Sequence, residues 1–392
     1  MKQLLAYCLS IILCVSFTGC MENYLDLYPE DKITSASFPE NESDIKLLLN
    51  GVYAQLREKE VYNQGLFGFG ITDGATPNAF NWGTDEVFNK LGAGRLSSSD
   101  GGVVTYRWKR CYEIISRANY LLACMDLVDL SEEAKAKYSG ETHFLRGLAY
   151  SVLAETYGGV PIILTDISTE EARSLKRARL EETWQQALDD YEVAITNLGV
   201  DAPEPGRATK GAALGMKMRA YLYQGKYKEV LACVEQIDAL KKYGLFHSYE
   251  GLFDPANENN KEVLFDIQYI EGENSQGSYI DQYCGTGTGS WTRGSRYVPT
   301  DDLVAAYETI DGSPVDPENP YENRDPRLGF TAVLPGSYFL GYRFPNYLYP
   351  GGAFNHAGNR LKHLSTRVRT TSSPRRLTNH VTSLFLHSIP HR

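Results

Sequence analysis

A chain of 392 residues is long enough for two or three domains or for one extended repeat array. Its formal net charge of -10 excludes nucleic acid as the main partner, because phosphate binding draws on clustered Lys and Arg. Hydrophobic residues make up 42% and charged ones 22%, ordinary for a globular protein, but 27 tyrosines give the chain many rings to bury or to present.

The chain opens Met1-Lys2, runs apolar from Leu4 to Phe17 and closes on Phe17-Thr18-Gly19-Cys20. A basic start, a short apolar stretch and small residues before a cut predict an export signal over residues 1–19. The run is short for a bilayer span, and no later stretch approaches the about 20 apolar residues a span needs. Cys20 resembles the cysteine of a bacterial lipobox, with Phe17 where a Leu is usual. It is the expected lipid attachment site, and plain secretion with a free Cys20 is the alternative. Cys8 and Cys14 leave with the signal. Cys111, Cys124, Cys233 and Cys284 are widely spaced and form neither a metal pair nor a dense disulfide framework.

After Leu25-Asp26-Leu27-Tyr28-Pro29 and the Pro39-Glu40-Asn41 opening, the spacing of Ile45, Leu48, Leu49, Val52, Tyr53 and Leu56 predicts a helix from about 43 to 59. Residues 65–102 form a Gly- and aromatic-rich loop too long for a mere connector; it contains Asp73, Phe80, Asn81 and Trp82. Trp108, Cys111, Tyr112, Ile115, Ala118, Leu121 and Leu122 then predict a helix of about five turns from Thr105. Ser131 caps the next, which carries Phe144, Leu145, Leu148, Ala149, Val152 and Leu153 and stops at Gly158-Gly159-Val160-Pro161. Trp108, Tyr112 and Tyr150, at helical spacing among apolar neighbours, are expected in the core. A polar connector spans 166–180, and an amphipathic helix spans 181–198.

Ala212-Ala213-Leu214-Gly215, Arg219-Ala220-Tyr221-Leu222 and Gly225-Lys226-Tyr227 resemble a tetratricopeptide unit: a helix with small residues, a tight turn and a second apolar helix. Past Tyr243 the pattern shifts. Val263 to Tyr269 reads as a strand, and a Gly- and Ser-rich run from 272 to 294 holds Tyr279, Tyr283, Trp291 and Arg293. A short helix over 300–307 and a turn at Asp311-Gly312-Ser313-Pro314 follow.

Several segments together resemble the SusD/RagB family. They are Leu25-Asp26 with Pro29, Asn50-Gly51-Val52-Tyr53, Trp108 with Cys111-Tyr112 and Ile115, Ala118-Asn119, and Gly140-Glu141. Phe144-Leu145-Arg146-Gly147-Leu148-Ala149-Tyr150, Tyr157-Gly158-Gly159-Val160-Pro161, Tyr307 with Asp311-Gly312, and Arg324-Asp325-Pro326-Arg327-Leu328 complete the set. The resemblance implies a mainly α fold of tetratricopeptide-like repeats with an irregular, strand-containing ligand-binding part. It divides the chain into a signal peptide (1–19), a helical-repeat region (20–245), the start of a carboxyl-terminal region (246–358) and a basic tail (359–392). Asp325 is the last acidic residue. From Asn359 the chain has seven Lys or Arg and four His without an acid, and the Arg-x-Ala and Ala-Glu-Ala signatures of the family's later part are missing. A frameshift or misjoined frame near Gly358 is the expectation; a genuine basic tail for anionic lipid is the alternative.

Sugar rings stack their CH faces on aromatic side chains and bind at the edge through Asn, Asp or Arg. Phe80-Asn81-Trp82 combines both within three residues, on a loop that resembles the family's ligand-contacting loop. With Asp73, and with Tyr279, Tyr283, Trp291 and Arg293 on a facing wall, these are the expected ligand-binding residues. Arg324, Asp325 and Arg327 are expected to fix a turn by ion pairing. The adjacent pairs Asp85-Glu86 and Asp301-Asp302 read as solvated or capping acids, because glycosidase carboxylates are defined by separation across a bond. No nucleophile elbow, zinc motif or phosphate loop occurs, and no cofactor or metal is expected. The resemblance implies a non-enzymatic lipoprotein on the outer membrane that binds oligosaccharide and passes it to a SusC-like TonB-dependent transporter. A repeat scaffold for protein or peptide is the alternative, and a surface glycosidase a third reading.

Overall fold

Asn41 starts the first helix, α1 (Glu42–Leu56): its side-chain oxygen accepts from the backbone N–H groups of Ser43 and Asp44 at 2.9 and 3.2 Å. Two donors that a first turn leaves open are thereby satisfied, a cap that contributes about 1 kcal/mol. Ile45, Leu49, Val52 and Leu56 are buried along one face, as their spacing predicts. In this computed structural model, residues 38–58, 73–81, 90–97, 99–269, 297–335, 337–339 and 342–343 are described.

Helix α2 (Val103–Cys124) has 22 residues, nearer six turns than the expected five. Ser131 caps α3 (Glu132–Tyr157), accepting from the N–H of Ala134 at 3.2 Å. From Gly140 to Ala154 every α3 residue but His143 is buried. A helix surrounded on all sides must satisfy its polar groups internally. Thr142 accordingly donates to the carbonyl of Tyr138 at 2.6 Å, Ser151 meets the Tyr191 hydroxyl at 2.8 Å, and Tyr53 donates to Glu141 at 2.7 Å. Helix α5 (Leu180–Asn197) packs closely along α3 because Gly140 and Gly147 face it. A methyl group added at Gly147 would lie 3.0 Å from the Tyr191 ring.

Helices α6 (Lys210–Tyr223) and α7 (Tyr227–Ala239) form the expected hairpin, its turn made by Gly225 at φ 69°. The long helices pack on their successors in the series α1, α2, α3, α5, α6, α7, the arrangement of a helical-repeat stack. Helix α7 ends that series: only Cys233 is buried, while Tyr227 and Leu231 are 68% and 64% exposed.

Three local expectations need correction. The 166–180 connector contains a one-and-a-half-turn helix, α4 (Thr169–Ser174), held by a capping box between Ser168 and Glu171. Residues 263–269 form no strand ladder among the described residues. They run over the helices with Phe265, Ile267 and Tyr269 packed on the core, so their period of two records a covered face, not strand pairing. Trp108 is 36% exposed, sitting at the rim with its ring 5.0 Å from Tyr112 and 5.2 Å from Tyr157. Tyr150 is buried as expected, and Tyr112 is half-buried.

The segment after α3 straps the helices together. Tyr112 donates to the carbonyl of Pro161 at 2.7 Å, Tyr150 both donates to and accepts from the backbone of Ile163, and Asn119 donates to the carbonyls of Ile163 and Thr165. Beyond α7 come two 3-10 turns, 251–253 and 255–257. Then follow strand β2 (Tyr297–Pro299), whose partner is β1 (Ala79–Asn81), and helix α8 (Asp301–Ala306). Helix α9 (Arg327–Thr331) and the paired strands β3 (Tyr338–Phe339) and β4 (Tyr342–Arg343) complete the described part.

Candidate functional site

The expected ligand-contacting loop enters the fold through the β1–β2 ribbon. The strands are antiparallel, with Ala79 opposite Pro299, Phe80 opposite Val298 and Asn81 opposite Tyr297. The ribbon thus joins the chain just before Trp82 to the chain just after Trp291 and Arg293, two aromatic segments far apart in sequence. Strand alternation turns residue 80 to the opposite side from residue 79, and Phe80 is 50% exposed. A half-exposed ring on a short ribbon presents a flat apolar face to solvent, the surface on which a pyranose CH face stacks.

The ribbon is anchored at one end by a turn. The carbonyl of Asp73 accepts from the backbone N–H of Thr76 at 2.9 Å and from its hydroxyl at 2.8 Å, and the N–H of Asn78 donates to that hydroxyl at 3.1 Å. Asp73 itself stands at the surface, with its carboxyl raised from the ordinary aspartate value by desolvation from the chain around it. Its backbone carbonyl makes the turn at the foot of the same loop.

At the other end, Thr300 caps α8 through its side-chain oxygen, which accepts from the N–H of Leu303 at 3.1 Å. Asp301 and Asp302 lie in the first turn of that helix and are exposed, the placement of capping acids. Arg324 closes the far end of α8. Its guanidinium donates to the carbonyls of Val304 and Tyr307, each at 2.6 Å, and of Pro320 at 2.7 Å. The expected ion pair at this turn therefore belongs to Asp325 and Arg327 alone, joined at 3.0 Å, while Arg324 is a buried carbonyl clamp.

Of the expected site residues, Asp73, Phe80 and the backbone of Asn81 are described, and all three belong to the ribbon and its turn. Trp82, Tyr279, Tyr283, Trp291, Arg293 and Cys20 lie outside the described residues, as do Asp85, Glu86 and Cys284.

Two clefts that sequence reasoning missed lie on the helical side. One, of about 210 Å³, is bounded by Asn50, Tyr53, Arg57, Arg207 and Gln268; the other, of about 310 Å³, by Glu204, Lys242, Tyr243, Asn259 and Asn260. They share the 205–207 loop and Phe265. Their central side chains are committed to one another. Arg207 reaches Asn50 at 2.5 Å and Glu141 at 3.4 Å and lies 4.9 Å over the Tyr53 ring, and the Tyr53 hydroxyl accepts from the N–H of Ala208 at 2.9 Å. Burial raises the Glu141 carboxyl above its ordinary value, against the lowering effect of Tyr53 and Arg207. This is a joint between α1, α3 and the 205–207 loop.

Among the described residues no group of His, Cys, Asp and Glu could hold a metal ion, and no helix is long and apolar enough to cross a membrane. Cys111, Cys124 and Cys233 are buried free thiols, and burial pushes Cys111 up to about 12, leaving it inert.

The chain matches two families over successive regions: residues 23–222 match the family described as "Starch-binding associating with outer membrane", and residues 261–383 match the SusD family. The second match continues past Gly358, into the stretch whose composition suggested a break in frame. Among curated relatives, SusD-like protein P25 of Formosa agariphila is 26% identical over 76% of this chain and 58% of its own length. A SusD-like carbohydrate-binding protein from Bacteroides fragilis is 27% identical, with a TM-score of 0.68 over 77% of this chain and 61% of that one. A laminarin-binding SusD-like protein shares the fold, with a TM-score of 0.63 at 20% identity over 74% of this chain and 66% of its own. The chain thus spans about half to three fifths of the length of the curated relatives it matches. With its helical-repeat stack, and with the first match alone covering half of its residues, this chain belongs to the SusD/RagB family.

Proposed function

We propose that this protein is a non-enzymatic glycan receptor that captures oligosaccharide on the aromatic surface around the β1–β2 ribbon. The observation that carries this reading is the half-exposed ring of Phe80 on a ribbon that pairs residues 79–81 with residues 297–299. Family membership supports it, since the relatives include proteins named for carbohydrate and laminarin binding. Asp73 and Asn81 supply polar groups at the edge, with Trp82, Tyr279, Tyr283, Trp291 and Arg293 completing the surface.

The finer parts of the proposal concern place and partner. A lipid on Cys20 holds the receptor at the outer membrane, where each buried acyl methylene contributes about 0.8 kcal/mol. Captured oligosaccharide passes from there to a SusC-like TonB-dependent transporter.

Titration calorimetry of the full chain against malto- and laminari-oligosaccharides tests the reading. Saturable binding that falls about tenfold or more in Phe80→Ala, Trp82→Ala and Trp291→Ala supports it, the loss expected when an aromatic platform is removed. Binding of peptide with no saccharide affinity would favour the scaffold reading, and sugar release abolished by one Asp or Glu substitution would favour a glycosidase.

A further inference from the structure

We propose that Thr300 is the positioning residue of the glycan platform: its hydroxyl fixes the register in which Phe80 faces outward. This rests on the glycan-binding reading of the ribbon.

Three pairs of residues are too few to hold a two-stranded ribbon in one register unaided. The register matters because a slip by one residue turns every side chain to the other face, which would take Phe80 off the surface it now presents. Something beyond the strands must fix it.

Thr300 is the first residue after β2, and it is bound to the chain just before β1. Its N–H donates to the carbonyl of Asn78 at 3.0 Å, and its hydroxyl donates to the carbonyl of Pro77. The same hydroxyl oxygen accepts from Leu303 as the cap of α8. A threonine hydroxyl has one proton to give and lone pairs to receive, so both bonds form together. One side chain therefore ties β1 to the start of α8, and the buried Arg324 ties the end of α8 to the carbonyl of Pro320. The ribbon takes its register from this block.

Three substitutions separate the two bonds. Thr300→Ser keeps both. Thr300→Val keeps the shape and loses both. Thr300→Asp caps a helix as well as threonine does but has no proton to donate to Pro77. Saccharide affinity of the full chain is measured by calorimetry with malto- and laminari-oligosaccharides, and backbone hydrogen exchange is followed over residues 77–81 and 297–300. We expect Thr300→Ser to stay within about twofold of the parent, and Thr300→Val and Thr300→Asp, which both lose the bond to Pro77, each to weaken binding about tenfold or more, at least the loss of one well-made hydrogen bond. Exchange of the ribbon amides should rise in the same two variants while α3 and α5 keep their protection.

Full affinity and unchanged ribbon exchange in Thr300→Asp would overturn the proposal, because capping alone would then suffice. Equal loss in Thr300→Ser would overturn it as well. If the parent binds none of the saccharides, the glycan reading fails, and the exchange comparison still decides whether Thr300 sets the register.

Discussion

Arg146 and Asp190 form a forked ion pair between α3 and α5. The Arg146 Nη2 lies 2.7 Å from one carboxylate oxygen of Asp190 and Nε 3.1 Å from the other, with both side chains almost wholly buried. The remaining fork of the guanidinium reaches the side-chain oxygen of Asn119 at 2.8 Å. Three helices, α2, α3 and α5, meet in this one group.

Removing one partner of such a pair leaves an uncompensated charge in the interior. Asp190→Ala should therefore destabilise the protein by about 3 to 5 kcal/mol, far more than any surface ion pair on the molecule. Urea denaturation followed by circular dichroism reads this directly, and a loss below about 1 kcal/mol would contradict it.

Gly159 allows the strap after α3 to pass directly under Ala178. A methyl group added at Gly159 would lie 2.0 Å from the Ala178 carbonyl oxygen, a contact with backbone that no side-chain rotation relieves. The two strands of chain are also joined by Arg177, which donates to the Gly159 and Tyr157 carbonyls, each at 2.5 Å, and by the N–H of Ala178 to Val160 at 3.1 Å. Gly159→Ala should destabilise by about 1 to 3 kcal/mol, read as a lowered Tm. An unchanged Tm would mean that the strap shifts freely.

His143 faces a carbonyl, that of Ser139, 2.8 Å from Nδ1. A carbonyl only accepts, so Nδ1 carries the proton in this contact. Burial lowers the imidazole from its ordinary value of 6.5, outweighing the raising effects of the Ser139 contact and Asp190. The unfolded chain then binds the proton more tightly than the folded one. The group's contribution to stability is fully present above pH about 6.5 and is lost as the pH falls through the lowered folded value. His143→Gln should remove that acid-side slope from a series of denaturation curves; an identical slope in the variant would assign it elsewhere.

Lipid attachment predicts a change of compartment without a change of fold. Cys20→Ala should move the exported protein from the membrane fraction to the soluble one, with an unaltered melting curve. Retention of the variant in washed membranes would remove Cys20 as the anchor.

The helices were legible because their determinants are local. Asn41 and Ser131 announce their caps, Gly225 its turn, and the stripes of Ile45, Leu49, Val52 and Leu56 their buried faces. Where two signals conflict, reading along the chain fails. The alternation of Phe265, Ile267 and Tyr269 is that of a strand, yet the partner face is a layer of helices. The Ser168 to Glu171 capping box lay in plain view but opens a helix with no buried residue, so no apolar stripe marked it. Trp108 has core spacing but falls near the start of α2, where neighbours are fewer and the ring stays partly in water.

The candidate site was legible in composition and not in assembly. Phe80, Asn81 and Asp73 stand out as aromatic and polar residues in a Gly-rich loop, and the structure places them on one ribbon and its turn. The pairing of that ribbon with 297–299, and the role of Thr300, depend on contacts between distant segments that no local pattern encodes. The buried network of Arg146, Asp190 and Asn119 was hidden for the same reason.

The hydroxyl of Thr300 and the carbonyl it meets are separated by 223 positions in the chain. The helix series, in contrast, is built from contacts between successive elements, which close short loops and form early. A chain synthesised amino terminus first can thus compact most of its helices before residue 300 has arrived. If the ribbon holds the ligand, competence to do so is a late event in the life of the molecule, and a refolding experiment should pass through a species with nearly full helical signal and no grip on sugar.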